Sequence, residues 1–203
     1  QLYQSLSLDF LYPHASQLVV FADNHDTDRI FVQLDRDLDL FKMAMVYIAT
    51  VRGTAQMLYG TEVLLANDRL GDDGDRRRDF PGGWRDDPVN AFAGAGLTPA
   101  QLQAQRFIRT LFQWRKSSDA VSHGQLLHYL PVDGVYVYFR LTPSERVMVV
   151  LNKGRSASQL DLARFTQVLR PGDIGRDIFT GQALALTDHL SLAPRSALVL
   201  DIR

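Results

Sequence analysis

Residues Leu18 to Ala22 form an unbroken apolar run that stops at Asp23-Asn24-His25-Asp26. An unalternating run of this length suits a parallel strand buried on both faces, and it puts the polar cluster at the strand's C-terminal end. From Asp35 to Val51 the period becomes helical. Leu38, Phe41, Met45 and Ile48 line one stripe, Ala44 and Val46 widen it, and Asp35 or Asp37 stands where the helix starts. Thr54 to Tyr59 reads as a second buried strand, stopped by Gly60. Strand, helix and strand with short joints predict a parallel crossover unit.

Ala66 to Leu97 breaks the pattern, being rich in Gly, Asp and Arg without a sustained period. A loop this long inside a compact domain is usually functional or disordered. Thr98-Pro99-Ala100-Gln101 then has the signature of a helix start, with Thr98 as cap, Pro99 in the first turn and Gln101 closing a capping box. That helix is expected to run to about Lys116, burying Leu102, Phe107, Ile108, Leu111 and Phe112. From Gly124 onward the segments are short and strand-like. Val135, Val137 and Phe139 alternate with Tyr136, Tyr138 and Arg140; Val147 to Leu151 and Ala197 to Ile202 are further strands, and Asp133-Gly134 is a turn. The expected organisation is α/β followed by all-β: residues 1–120 as strand–helix units, and residues 121–203 as an antiparallel β-sandwich, with the boundary near Ser118 to Gly124.

Composition narrows the functional classes. The 203 residues carry a net charge of -1, which gives no electrostatic case for nucleic acid or an acidic membrane surface. There is no cysteine, which excludes disulfides and thiolate metal sites. No apolar run is long enough to span a bilayer. The start, Gln1-Leu2-Tyr3, has neither an initiator Met nor the basic and apolar regions of a signal peptide, so the sequence reads as a piece of a longer chain. The compartment is left open between bacterial cytoplasm and periplasm.

Phe21-Ala22-Asp23-Asn24-His25-Asp26 resembles the motif on the seventh barrel strand of the alpha-amylase superfamily: an aromatic, two residues, then Asn-His-Asp. Leu58-Tyr59-Gly60-Thr61-Glu62 is similar to the segment ending the eighth strand. The run Asp73 to Trp84, with Asn90-Ala91-Phe92 beyond it, is similar to a loop of the cyclomaltodextrinase and neopullulanase branch, which usually has an Arg at the place of Arg77. The likeness is specific over residues 18 to 92 and weak in the C-terminal region. It implies the last units of a (β/α)8 barrel followed by the sandwich, within a retaining hydrolase of alpha-glucosidic bonds.

A barrel enzyme builds its site at the C-terminal ends of its strands, where His25 and Asp26 fall. In retaining glycosidases one carboxyl attacks the anomeric carbon, another protonates the leaving oxygen, and bonds to the sugar 2-hydroxyl strengthen as positive charge develops. The resemblance makes Asp26 the transition-state stabiliser, gripping the 2- and 3-hydroxyls. It makes His25 a donor to the same sugar, and Asn24, Tyr59 and Trp84 are further candidates for contact with the substrate. Asn24 is expected chiefly to shape the turn. The nucleophile and acid/base belong to the fourth and fifth strands, which this sequence does not contain: Asp9 is in the wrong context and Glu62 belongs to the eighth-strand segment. The chain alone is therefore expected to be inactive. Its expected partners are a maltooligosaccharide or cyclodextrin and the N-terminal part of its own chain, with a homo-oligomer left open. The rival reading is a non-catalytic carbohydrate-binding or interaction module, and a transglycosylase would share every residue seen here.

Blander readings stand beside these. Arg76-Arg77-Arg78 sits among Asp72, Asp73, Asp75 and Asp79 and reads as a solvated, internally paired loop rather than a phosphate patch. Asp72, Asp73 and Asp75 are candidate Ca²⁺ ligands but do not match the spacing of an EF-hand loop, and no cofactor is expected. Phe80 and Trp84 either stack on sugar or pack the loop. Tyr59 reads slightly better as a core residue than as a border of the site. Tyr136 and Tyr138, on one side of a strand, read better as packing or plain exposure than as a sugar platform.

Overall fold

A computed structural model describes residues 2–203; Gln1 lies outside the described residues. A short helix, α1 (Leu2–Ser7), leads into β1 (Val19–Phe21). After α2 (Ile30–Gln33), α3 (Leu38–Thr50) returns the chain to β2 (Thr54–Gln56), which pairs with β1 in parallel, Val20 opposite Ala55. Asp37 caps α3: its carboxylate accepts the amides of Asp39 and Leu40 at 2.9 and 3.0 Å. The predicted stripe is buried at Phe41, Met45 and Ile48.

The strands differ from expectation in length and burial. β2 ends at Gln56, three residues before Tyr59. Val19 and Phe21 are 54% and 43% exposed, so β1 is not buried on both faces. The reason is its company: β1 pairs with β2 and with no other strand among the described residues, so apolar composition alone does not cover it.

The long loop contains one helical turn, α4 (Asp73–Arg76), capped by Asp72. It is followed by α5 (Pro99–Ser117), which begins with the predicted capping box, and by α6 (Asp119–His123). The rest is antiparallel. β3 (Gln125–His128), β4 (Val135–Leu141), β5 (Arg146–Asn152), β7 (Ile174–Asp177), β8 (Ala183–Ala185) and β10 (Ser196–Ile202) form a six-stranded sheet in the order β3-β4-β5-β10-β7-β8. A second sheet pairs β6 (Ser158–Asp161) with β9 (His189–Leu192). The fold is thus a parallel strand–helix–strand unit followed by an antiparallel β layer structure, as the sequence pattern predicts.

The central sheet is covered on both faces. Val137, Phe139, Met148, Val150 and Leu200 face a core shared with β6, β9, Leu162 and Phe165. Tyr138, Val147, Val149 and Val199 face α3, α5 and α6. The second core therefore continues across the expected boundary near Ser118 to Gly124. Tyr138 and Thr50 hydroxyls lie 2.6 Å apart there, and Arg140 donates to the Gly124 carbonyl at 2.7 Å while its Nε is buried without a partner. Phe107 stacks on Phe179 at 4.3 Å, and the Trp114 indole donates to Asp201 at 3.2 Å. Tyr136 and Tyr138 are buried, which settles them as packing residues. Among the described residues no helix is long and apolar enough to cross a membrane.

Candidate functional site

The turn after β1 is held from inside. Asp23, 2% exposed, points inward; its Oδ2 accepts the Ile30 amide at 2.8 Å, and the Thr61 hydroxyl lies 3.3 Å from both oxygens. Burial pushes the Asp23 carboxyl above its ordinary pKa, opposed by the Ile30 N–H and the Arg29 charge. Asn24 closes the turn: its Oδ1 accepts the Asp26 amide at 2.9 Å and its own N–H donates to Thr27 Oγ1 at 3.0 Å. Asn24 thus shapes the turn through these bonds. His25 and Asp26 are left exposed side by side, Nε2 to Oδ2 at 3.3 Å.

The long loop grips this turn from the other side. Arg77 donates to the His25 carbonyl at 3.0 Å and to Asp26 Oδ1 at 3.2 Å. Arg76 donates to Asp28 Oδ1 at 2.9 Å and to the Asp26 carbonyl at 3.1 Å. Asp28 also accepts from Asn67 at 2.9 Å and from the Gly71 amide at 3.1 Å. The Gly71 N–H and the Arg76 guanidinium hold the Asp28 carboxyl below its usual pKa. Arg78 completes the set, bonding Asp68 at 3.0 Å and pairing with Asp75. The arginine run is internally paired, as its flanking carboxylates predict, but it is not simply solvated: Arg76 is largely covered.

Beneath the turn lies Arg29, wholly buried. It donates to the carbonyls of Arg76 at 2.8 Å and Tyr59 at 2.6 Å, and its guanidinium sits 5.1 Å from the Tyr59 ring centre. Its burial lowers the guanidinium pKa, against the pull of Asp23, Tyr59 and Glu62. Asp23, Asp28, Arg29, Asn67 and Asp75 form a frame that pattern reading missed. Its one legible signal was the crowding of Asp and Arg around residues 68–79. The pairing partner Asp28 lies 48 positions upstream of Arg76.

Tyr59 is exposed rather than a core residue. Its hydroxyl donates to the Arg78 carbonyl at 3.0 Å, which keeps it at the edge of the loop frame. Phe80 packs beside Val63, Ala91 and Leu97 and meets Phe92 at 4.7 Å. Trp84 is 67% exposed, its indole donating to Asp79 at 2.8 Å. The three carboxylates considered for Ca²⁺ are engaged elsewhere. Asp72 caps α4, Asp73 pairs with Arg76 and Arg77, and Asp75 accepts the Asp68 and Arg69 amides. The outward result is a carboxylate and an imidazole, adjacent and fixed, able to accept from and donate to neighbouring hydroxyls of one ligand.

Residues 126–201 match the family described as the cyclo-malto-dextrinase C-terminal domain. The chain is 27% identical over 205 residues to a cyclomaltodextrin glucanotransferase of Paenibacillus macerans, covering 97% of this chain and 26% of that protein. It is 29% identical over 164 residues to the corresponding enzyme of Klebsiella oxytoca, covering 68% of this chain and 23% of that one. Its fold superposes on an alpha-amylase from Geobacillus thermoleovorans, solved with acarbose, with a TM-score of 0.79 at 21% identity, over 100% of this chain and 42% of that one. Over most of its length the chain is similar to cyclomaltodextrin glucanotransferases and shares the fold of an alpha-amylase. It spans about a quarter of the length of the two glucanotransferases.

Proposed function

We propose that this chain forms part of a retaining alpha-glucan hydrolase of the cyclomaltodextrinase, neopullulanase or alpha-amylase type, in which it supplies the sugar-gripping carboxylate. The observation that carries the reading is the exposed His25–Asp26 pair at the C-terminal end of a parallel strand, fixed by the Asn24 turn and the Arg77 bonds. Asp26 accepts the 2- and 3-hydroxyls of the reacting sugar, and His25 donates to a hydroxyl of the same ring. As the anomeric carbon gains positive charge, the bond from the 2-hydroxyl to a carboxylate strengthens, so the contact is worth more in the transition state than in the ground state. Tyr59 and Trp84 border the substrate, and Asn24 acts through the turn. The chemistry is that of carboxyl groups and needs no cofactor.

Attack and protonation need two further carboxyls on either side of the scissile bond. The acidic groups nearest the turn are committed: Asp23 is buried, Asp28 is bonded to Arg76, and Asp73 is paired with Arg76 and Arg77. Residues 1–120 are accordingly read as the closing strand–helix units of a barrel whose other strands carry those carboxyls, and residues 121–203 as its C-terminal sheet domain. The test is to express the reading frame that contains this segment and compare it with its Asp26→Asn form on maltodextrin. Loss of about a thousandfold in kcat with a much smaller change in KM is expected for a group acting in the transition state. An Asp26→Asn enzyme with unaltered kcat would remove the assignment.

A further inference from the structure

We propose that the recess at one end of the central sheet, where β10 finishes beside the first residue of β5, binds a small phosphomonoester. The strands fix which residues meet there. Ile202 lies opposite Arg146 of β5 on one side and Gly175 of β7 on the other, and Arg203 exchanges both backbone bonds with Ile174, at 3.0 and 3.1 Å. The turn between β4 and β5 and the segment before β7 complete the walls. The space is about 480 Å³, bordered by Thr142, Ser144, Arg146, Gln167, Arg170 and Arg203. Small-molecule sites occupy about 300–1,000 Å³, so there is room for an anion and for the organic group attached to it. The recess shares no residue with the turn that carries Asp26, so it stands or falls apart from that reading.

Charge decides the class of ligand. None of the described residues lining the recess is acidic, and the carboxylates around it are already occupied. Asp173 accepts two nitrogens of Arg146 at 2.5 and 2.8 Å and the Arg170 amide at 2.8 Å. Glu145, in the turn itself, accepts from the Ser118 hydroxyl and the Ala120 amide at 2.5 and 2.9 Å. Asp201 takes the Trp114 indole at 3.2 Å. Arg146 is held in place by these bonds and by the Val168 carbonyl at 3.0 Å. The side chains of Arg170 and Arg203 have no ion pair or hydrogen bond among the described residues. Arg203 also borders an adjoining recess together with Arg176, which extends the positive field. A guanidinium presents a planar fork of N–H donors that matches phosphate oxygens. A carboxylate brings one charge and two oxygens; a phosphomonoester brings about -1.5 to -2 and three free oxygens, which suits two uncommitted guanidiniums beside a fixed one. The Ser144 hydroxyl and the Gln167 amide then serve the organic group.

The test follows backbone amide resonances of the 203-residue chain, extended by a short Gly-Ser tail that carries the terminal carboxylate away from Arg203. Glucose 6-phosphate should shift Ser144, Gln167 and Arg170 saturably, and glucose should shift none of them. Inorganic phosphate, which lacks the organic group, should move the same resonances with weaker affinity. Arg170→Gln removes a guanidinium that no described residue engages and should weaken glucose 6-phosphate about tenfold, as should Arg203→Gln. Arg109→Gln, on the exposed side of α5, removes the same charge elsewhere and should leave the affinity unchanged. Absence of a saturable shift, or equal weakening by Arg109→Gln, overturns the site. Inorganic phosphate held as tightly as the ester overturns the phosphomonoester in favour of free phosphate.

Discussion

β1 and β4 make an instructive pair. β1 is apolar at every position, yet Val19 and Phe21 face solvent. β4 alternates Tyr136, Tyr138 and Arg140 with apolar residues, yet all of these are buried. Composition does not separate the two strands; neighbours do. β4 lies between β3 and β5 with helices on one face and Leu160, Leu162 and Phe165 on the other, and its polar tips reach Thr50, His128 and backbone carbonyls. β1 has a single pairing partner among the described residues, and of its side chains only Val20 packs against the core. Under the proposed function, the exposed side of β1 is where the rest of a barrel would pack.

That contrast can be broken most easily by truncation on both strands. Phe139→Ala should lower global stability by about 3–5 kcal/mol, because it leaves a cavity in a closed core. Phe21→Ala should cost less than about 1 kcal/mol, since half its ring already meets water. Urea midpoints of the two variants measure the difference, and equal losses would refute it. Arg29→Met comes next: it strands the Tyr59 and Arg76 carbonyls and leaves Asp23 without its nearby cation, at a cost of about 3 kcal/mol. Hydrogen exchange should show the loss at residues 24–28 and 67–78 first, with the central sheet still protected. Tyr138→Phe removes only the hydroxyl paired with Thr50 and should cost about 1 kcal/mol, detectable as a shift in midpoint without a change in slope.

The smallest effect concerns pH. His128 stacks on Tyr3 at 4.7 Å with its Nδ1 2.9 Å from the Tyr136 hydroxyl, and burial depresses its pKa below the ordinary imidazole value. The unfolded chain therefore takes up this proton at higher pH than the folded chain. Stability from His128 is complete above the ordinary imidazole pKa and is lost as pH falls below it towards the folded value. His128→Asn should flatten that part of the stability profile, and an unchanged profile would exclude the contribution.

Much of this architecture is legible in the residues. The α3 stripe and the α5 capping box follow from local periodicity and spacing. So does the alternation of β4, although alternation alone left its outward face ambiguous: Tyr136 and Tyr138 needed the position of α3 to be placed. The turn at Asn24 was readable because its bonds are local, between residues two and three apart. The frame around it was not. Asp28 to Arg76 and Arg29 to Tyr59 are contacts across long stretches of chain, and nothing in a run of Gly, Asp and Arg says which carboxylate takes which guanidinium. The exposure of β1 is not legible for a related reason, since a run of apolar side chains reports what a strand can bury and not what lies against it.

The central claim is that the Asn24–Asp26 turn grips sugar while attack and proton transfer reside in other carboxyls. Its most direct test is reducing-sugar release from maltodextrin by the purified 203-residue chain, assayed beside the protein expressed from the reading frame that contains it. The account predicts release by the longer protein, abolished by Asp26→Asn, and none by the 203-residue chain. Release by the 203-residue chain itself would contradict it.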